Sequence, residues 1–284
     1  MVKETLSNIK IQERERPFHF MEEIMKILQV HVPFRMLLGD FLNTVVTKGI
    51  NPEIGFDYAV LDSTGKNEFR KVAGRLSDAG LRVTFHAPFM DLRPGAIDPR
   101  IREVSRDRLM QVFDLVPLFR PRTVVCHPSF DSRYYVSTEM QWLENSINTW
   151  RTFGNLAAQL NTIIVLENVY EQMPRHFVNL LTALDSPHVR FCFDTGHYNA
   201  FSDALLEQWL EELGDFLGEV HLHDNEGRRD EHLPIGEGNF PFAELFDFLR
   251  KREQKPILTL EAHSEDNFRR TVATLRENRL FGLI

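Results

Sequence analysis

Residues that can bind metal ions recur along this sequence, six of them at the ends of short apolar runs. These six are His86, His127, Glu167, Asp194, His221 and Glu261. Three more of the same types, His197, Asp230 and His232, lie on the segments that follow the sixth and seventh runs. Neutral imidazoles and carboxylates, without thiolates, suit Zn²⁺, Mn²⁺ or Fe²⁺. The pattern therefore predicts a divalent-metal site, with zinc the preferred ion.

The number of these residues predicts more than one ion. Nine side chains exceed what a single ion of four to six ligands can use, and a carboxylate such as Glu167 can bridge two ions. We therefore expect two or three ions per chain. Such multinuclear sites are typical of phosphodiester cleavage, and the sequence shows no serine or cysteine nucleophile elbow.

The elements that would position these residues alternate between apolar runs and helical patterns. The predicted strands are Phe34–Leu38, Ile54–Leu61, Leu81–His86, Thr123–His127, Thr162–Glu167, Val189–Asp194, Glu219–His223 and Ile257–Glu261. Eight alternations predict a (β/α)₈ TIM barrel over residues 33–284, in which the strand ends converge on one face. Residues 1–32 are predicted to be an N-terminal extension with a helix over Phe18–Val30.

Composition and charge limit which binding partners and which cellular compartment we expect. The net charge of −8 and the two isolated cysteines give no global attraction to nucleic acid or anionic membrane and no disulfide framework. No signal peptide or membrane-length apolar run is visible. We expect a cytoplasmic protein acting on a small molecule, with nucleic acid disfavoured but left open and the oligomeric state undetermined.

The metal-ligand motifs resemble those of the endonuclease IV and xylose-isomerase-like superfamily, also called AP endonuclease family 2. They are His86-Ala-Pro, His127-Pro, Leu166-Glu-Asn, Asp194-Thr-Gly-His197, His221-Leu-His-Asp, Asp230-Glu-His232 and Glu261. The resemblance implies that Glu167 bridges two ions. It assigns His86 and His127 to the first ion, Asp194, His221 and Glu261 to the second, and His197, Asp230 and His232 to the third.

Three activities remain open from this resemblance. A metal-dependent phosphodiesterase for a small molecule, such as the nucleotide loop of a cobamide, is favoured because the whole ligand set is present. A single-metal sugar or sugar-phosphate isomerase or epimerase needs only Glu167, Asp194, His221 and Glu261. An abasic-site endonuclease ranks third, because the segment after the first predicted strand, Gly39–Asn43, lacks a recognised DNA-binding pattern.

Individual side chains also have predicted roles. Glu167, Glu261 and His221 are predicted to be catalytic. The predicted substrate-binding residues are Arg35, Phe89, Arg93, Asn168, His223 and Arg228. Of the two histidines in His221-Leu-His223, we expect His221 to be the ligand and His223 to support it.

Overall fold

The computed structural model describes residues 24–278 and 282 and confirms the predicted (β/α)₈ barrel. Eight parallel strands follow one another around a closed barrel, and pairing of the first strand with the last completes it. The strands are β1 Leu28–Pro33, β2 Asn51–Gly55, β3 Thr84–His86, β4 Thr123–Cys126, β5 Ile163–Glu167, β6 Val189–Asp194, β7 Leu217–Leu222 and β8 Ile257–Leu260.

Helices surround the barrel. They are α1 Phe34–Leu37, α2 Phe41–Lys48, α3 Tyr58–Ser63, α4 Lys66–Asp78, α5 Pro99–Phe113, α6 Val116–Phe119, α7 Glu139–Leu160, α8 Arg175–Leu184, α9 Thr195–Phe201, α10 Leu206–Leu213, α11 Phe242–Arg250 and α12 Glu265–Glu277. A 3₁₀ turn, Gly214–Phe216, precedes β7. Gly80 follows α4 with φ of 67°, the left-handed conformation expected of a glycine that ends a helix.

The prediction for the first strand was wrong. Residues 34–37 form a short helix, and β1 lies at Leu28–Pro33, inside the segment predicted to be an extension. The alternation in Leu-Gln-Val-His-Val-Pro is that of a strand with one apolar face, but the predicted helix Phe18–Val30 overlaps its first residues. Residues 24–27 are helical, and residues 1–23 lie outside the described part of the chain.

The second strand was placed too late. The structure has β2 at Asn51–Gly55, and the residues predicted to continue it belong to α3. Asp57 caps the start of α3 by accepting a hydrogen bond from the backbone N–H of Val60, so the chain is helical where the strand was predicted to continue. This shift matters because it brings Glu53 into the barrel.

Two separate packing regions result. A large apolar cluster joins the outer faces of the strands to the helices, and Cys126 belongs to it. A second cluster contains Val125, Val165 and Cys192. Strand alternation places Val125 on the same barrel face as His127, and Val165 on the same face as Glu167. The barrel interior therefore contains this small apolar cluster, and polar residues such as His127 and Glu167 follow it on the same face toward the carboxyl ends of the strands.

No helix within residues 24–278 is long and apolar enough to span a membrane.

Candidate metal centre

The structure brings the nine predicted ligands together at the carboxyl end of the barrel. In the first group, the Nε2 atoms of His86 and His127 each lie 3.2 Å from Oε2 of Glu167. His86 and Glu167 end β3 and β5, and His127 directly follows β4. The Glu167 side chain is only 1% exposed. The three can offer ligand atoms to one ion, as the resemblance implies for the first ion.

The other oxygen of Glu167 faces a second group. Its Oε1 lies 3.1 Å from Nδ1 of His197, and Nε2 of that histidine lies 3.4 Å from Oδ2 of Asp230. His232 reaches the same Oδ2 through its Nε2 atom at 3.1 Å. Glu167 thus contacts the first group through Oε2 and the group assigned to the third ion through Oε1.

His221 lies between the carboxylates of the remaining group. Its Nδ1 atom is 3.0 Å from Oε1 of Glu261, 3.5 Å from Oε2 of Glu167 and 3.7 Å from Oδ2 of Asp194. Even so, this buried nitrogen has no hydrogen-bond partner among the described residues. A buried polar atom without a partner is unfavourable, so the arrangement fits a cation between the ring and the carboxylates.

The Asp194-Thr-Gly-His197 motif folds around the start of α9. Asp194 caps the helix by accepting a hydrogen bond from the backbone N–H of His197 at 2.6 Å. The Thr195 hydroxyl contacts the backbone carbonyls of His221 and His223 at 3.0 and 2.7 Å, which ties α9 to β7. Gly196 is required because a Cβ there would meet the His223 ring at 2.0 Å.

Asn168 supports this motif from β5. Its amide accepts a hydrogen bond from the Asp194 N–H at 2.9 Å and donates one to the Asp194 carbonyl at 3.1 Å. Its own carbonyl lies 3.0 Å from Nδ1 of His197. Asn168 is 1% exposed. Its contacts are those of a positioning residue, whereas the sequence suggested substrate binding.

The loop after β7, which carries Asp230 and His232, is organised by one buried carboxylate. Asp224 Oδ1 accepts hydrogen bonds from the N–H groups of Asn225 and Phe240, and Oδ2 accepts them from Gly236 and Gly238, all within 2.9–3.1 Å. The backbone of Asp224 also pairs with Leu233. This explains the sequence Gly236-Glu-Gly238, since a Cβ at Gly238 would lie 2.3 Å from the Asp224 carboxylate.

His223 has a larger part in the site than the sequence suggested. Its Nε2 atom is 3.0 Å from both carboxylate oxygens of Asp194. Its Nδ1 atom lies 3.6 Å from Oδ1 of Asp230. Within residues 24–278, neither His223 Nδ1 nor Asp230 Oδ1 has a hydrogen-bond partner. The ring stacks on His232 with centroids 3.9 Å apart, and His263 stacks on the opposite side of His232 at 3.7 Å.

Two further residues of the site were missed by the sequence analysis. Glu53 is fully buried and contacts Nε2 of His221 at 3.2 Å and Nδ1 of His31 at 3.0 Å. Both residues lie on the strands whose positions were misplaced, β1 and β2. Correct registers for these strands would have placed His31 and Glu53 on the same barrel face as the ligands, so the signal was the alternation in Leu28–Pro33.

The electrostatics of the site favour ionised carboxylates. Burial alone would raise the pKa of Glu167, but the charges of His127 and His221 hold it well below its usual range. Burial likewise opposes ionisation of Glu53, yet His221 and His31 lower its pKa to about 2. For His86, burial acts to lower the pKa, and the Glu167 hydrogen bond and charge raise it to about 9. The buried carboxylates Glu167 and Glu53 thus need nearby positive charge to stay ionised.

The thiol of Cys192 lies beside Glu167 and His221, within reach of a shared ion. Burial raises its pKa well above the usual value.

The predicted substrate-binding residues occupy different environments. Phe89 is 44% exposed, and its ring stacks on His127 with centroids 4.5 Å apart, so it borders the site. Arg93 lies over the Tyr134 ring, 4.4 Å from its centroid. Arg35 is exposed and ion-paired with Asp57.

Arg228 is exposed on the loop that leads to Asp230. The structure brings neither Arg35 nor Arg93 into contact with the ligand set among the described residues.

Comparison with known proteins assigns the family. The model of the xylose isomerase-like TIM barrel family matches residues 52–278, so the chain belongs to this family. An uncharacterized protein of Methanocaldococcus jannaschii is 30% identical over 192 residues, which are 64% of this chain and 64% of that protein. The match therefore spans less than two thirds of that relative. A probable endonuclease 4 of Mesomycoplasma hyopneumoniae is 24% identical over 173 residues, covering 55% of this chain and 60% of that protein.

Solved structures share the fold. A D-tagatose 3-epimerase-like protein superposes with a TM-score of 0.77 at 21% identity, covering 89% of this chain and 98% of that one. A Thermus thermophilus protein, from a crystal soaked with ZnCl₂, gives 0.74 at 21% identity, covering 91% and 100%. Further similar structures are D-psicose and D-allulose 3-epimerases. These structures show the fold that the chain shares with epimerases and epimerase-like proteins.

Replacing Asp224 with Asn should loosen the loop that carries Asp230 and His232. The amide keeps one acceptor oxygen but turns an NH₂ group toward the N–H groups of Gly236 and Gly238. We expect a loss of roughly 3 kcal/mol in the free energy of unfolding, measured by urea denaturation. Asp78→Asn, a change at an exposed residue of α4, is the control. Equal stability of the two variants would contradict the role given to Asp224.

Adding a methyl group at Gly196 should displace the His223 ring, because the space for a Cβ is already occupied. We expect Gly196→Ala to fold and to bind zinc at least about tenfold more weakly, the size of effect known for changes beside metal ligands. Competition with a chromogenic chelator measures this. Gly74→Ala on α4, where a Cβ meets nothing within 4 Å, should bind zinc like the parent. Unchanged affinity in Gly196→Ala would exclude a role for the His223 position.

Proposed function

We propose that this protein is a metal-dependent hydrolase that cleaves a phosphodiester in a small molecule at a multinuclear site. One observation carries the proposal: two histidine groups adjoin the set Glu167, Asp194, His221 and Glu261 that a single ion would use. His86 and His127 converge on Glu167, and His197 and His232 converge on Asp230. A one-ion reaction has no use for these groups, whereas hydrolysis at two or three ions does.

The donor groups suggest how the ions would be held. Glu167 would be shared, with His86 and His127 on one side and the Asp194, His221 and Glu261 group on the other. His197, Asp230 and His232 would form the third group. Bound divalent ions, zinc being preferred, would supply Lewis-acid activation of water and of the phosphodiester.

The protein's own side chains would divide the remaining tasks. Glu167 and His221 are 1% and 0% exposed, so they would act by holding and orienting. Glu261 is 11% exposed, more than Glu167 or Asp194, and would accept a proton at the open side. Phe89, stacked on His127, would exclude bulk water from the first group.

The surface around the site favours a small molecule over duplex DNA. Loops after β3 and β4 expose apolar side chains, with Met90 at 72%, Tyr134 at 63% and Val136 at 80%. Proteins that bind duplex DNA instead line the approach with cations for the phosphates. Arg228, exposed on the loop after β7, is a candidate phosphate contact. The sequence resemblance suggests the nucleotide loop of a cobamide as one such substrate.

A second candidate is a single-metal epimerase of keto sugars. It is favoured by the two carboxylates, Glu167 and Glu261, that flank Nδ1 of His221 at 3.5 and 3.0 Å. Two carboxylates at one ion can exchange protons with the carbon beside a carbonyl. The epimerase names among the similar structures support this alternative.

Replacing the shared carboxylate tests the hydrolase proposal. Glu167→Gln removes the charge between the donor groups and should lower turnover of a chromogenic phosphodiester about 1000-fold. The loss is large because removing one residue of a catalytic unit costs nearly as much activity as removing the whole unit. The control is Glu211→Gln, at an exposed position on α10. Near-normal turnover in Glu167→Gln would contradict a multinuclear hydrolase.

His127→Asn separates the two candidates. In the hydrolase, loss of this donor from the first group should reduce phosphodiester turnover about 100-fold. In the epimerase, His127 has no task, and the variant would still exchange solvent deuterium into a ketose such as D-psicose with Mn²⁺. If the parent exchanges deuterium into the ketose and His127→Asn retains this exchange, the epimerase would be the correct candidate and the hydrolase would be rejected.

A further inference from the structure

A buried carboxylate that belongs to none of the predicted donor groups lies directly beneath His221. Glu53, on β2, is 0% exposed, and its Oε2 atom lies 3.2 Å from Nε2 of His221. Its other oxygen, Oε1, lies 3.0 Å from Nδ1 of His31 on β1. Glu53 therefore joins a fully buried histidine of the site to a histidine whose side chain is 27% exposed.

This contact determines which nitrogen of His221 carries a proton. An ionised carboxylate can only accept hydrogen bonds, so Nε2 must be the donor to Glu53. In the neutral ring the lone pair then lies on Nδ1. That atom faces Glu261 and Glu167 at 3.0 and 3.5 Å, and no residue in the described part of the chain gives it a hydrogen bond.

The second contact holds Glu53 in place. The same rule makes Nδ1 of His31 a donor to Oε1, so each oxygen of Glu53 receives one imidazole N–H. The ring of His31 lies over Gly55, where a Cβ would approach Cε1 and Nε2 at 2.8 Å. The glycine at the end of β2 thus makes room for this histidine.

We propose that Glu53 is the positioning residue of the metal centre: it fixes the tautomer and orientation of His221 so that Nδ1 is presented to a cation. Carboxylates behind metal-bound histidines act in this way and strengthen binding. The proposal rests only on the metal-binding part of the proposed function, and it holds for a hydrolase or an epimerase alike.

The barrel offers a matched comparison in Glu219. This carboxylate is also 0% exposed, but it is held by the hydroxyls of Thr123 and Thr259, each at 2.6 Å. Hydroxyl groups donate or accept, so both contacts can survive replacement of Glu219 by Gln. Glu219→Gln therefore makes the same side-chain replacement at equal burial, on the strand that carries His221, at a carboxylate that has no hydrogen bond to a ring nitrogen.

The test compares three variants of the full chain, Glu53→Gln, Glu53→Leu and Glu219→Gln. Zinc content and affinity are measured by elemental analysis and by competition with a chromogenic chelator. We expect affinity at the His221 position to fall about tenfold in Glu53→Gln and about 100-fold in Glu53→Leu, and Glu219→Gln to bind like the parent. Circular dichroism and thermal unfolding establish that each variant is folded.

A second readout needs no metal. Nitrogen-15 NMR of the histidine rings, recorded on the metal-free parent at a pH high enough for the His221 ring to be neutral, should show the proton on Nε2, with this pattern retained in Glu53→Gln and lost in Glu53→Leu. A parent chain that binds no metal would contradict the proposed function, while the NMR pattern would still decide the role of Glu53. Unchanged affinity in both Glu53 variants, or equal losses in Glu219→Gln, would overturn the inference.

Discussion

The crowding of buried carboxylates at the mouth of the barrel is the constraint on which the site depends. Glu167, Asp194 and Glu261 all approach Nδ1 of His221 within 3.7 Å. Charges removed from water are costly unless they are paired. Histidines supply part of the compensation, but unpartnered atoms remain at His221, His223 and Asp230 among the described residues. Bound cations would pair the buried carboxylate charges and would also give the unpartnered atoms a ligand contact, which is why metal binding is central to our account.

The fold supplies what this crowding requires. A parallel barrel brings eight strand ends to one face, so residues far apart in sequence meet there without long loops. The loop after β7, which contributes Asp230 and His232, is organised by the four N–H contacts of Asp224. Beneath the ligands, Glu53 and Asn168 orient His221 and Asp194. The ligands are thus held by rigid elements and by a second layer of polar contacts.

The sequence was sufficient for the fold and for the convergence of the nine predicted ligands at one end of the barrel, because both follow from periodicity; their binding of metal stays a prediction. Each strand from β3 to β8 has a predicted ligand as its last residue, next to its last residue or directly after it, and the structure places all of these residues at one face. The first two strands were misplaced, because Leu28–Pro33 was assigned to a helix pattern and residues 58–61 to a strand. His31 and Glu53 were consequently missed. Stacking of His223 on His232, and the burial of Asn168, depend on tertiary packing that no local pattern reveals.

The comparisons and the geometry bear on different parts of the function. Family membership accounts for the barrel; a probable endonuclease 4 is similar in sequence, and a D-tagatose 3-epimerase-like protein shares the fold. The choice between these chemistries depends on the donors beyond the single-ion set, namely His86, His127, His197, Asp230 and His232. Their arrangement around Glu167 and Asp230 is the basis for preferring hydrolysis.

A crystal structure with metals located by anomalous scattering tests the central claim most directly. Our account predicts two or three peaks per chain, with Glu167 bridging the ion held by His86 and His127 to the ion beside His221. A single peak among Glu167, Asp194, His221 and Glu261, with His127 and Asp230 unliganded, would contradict it.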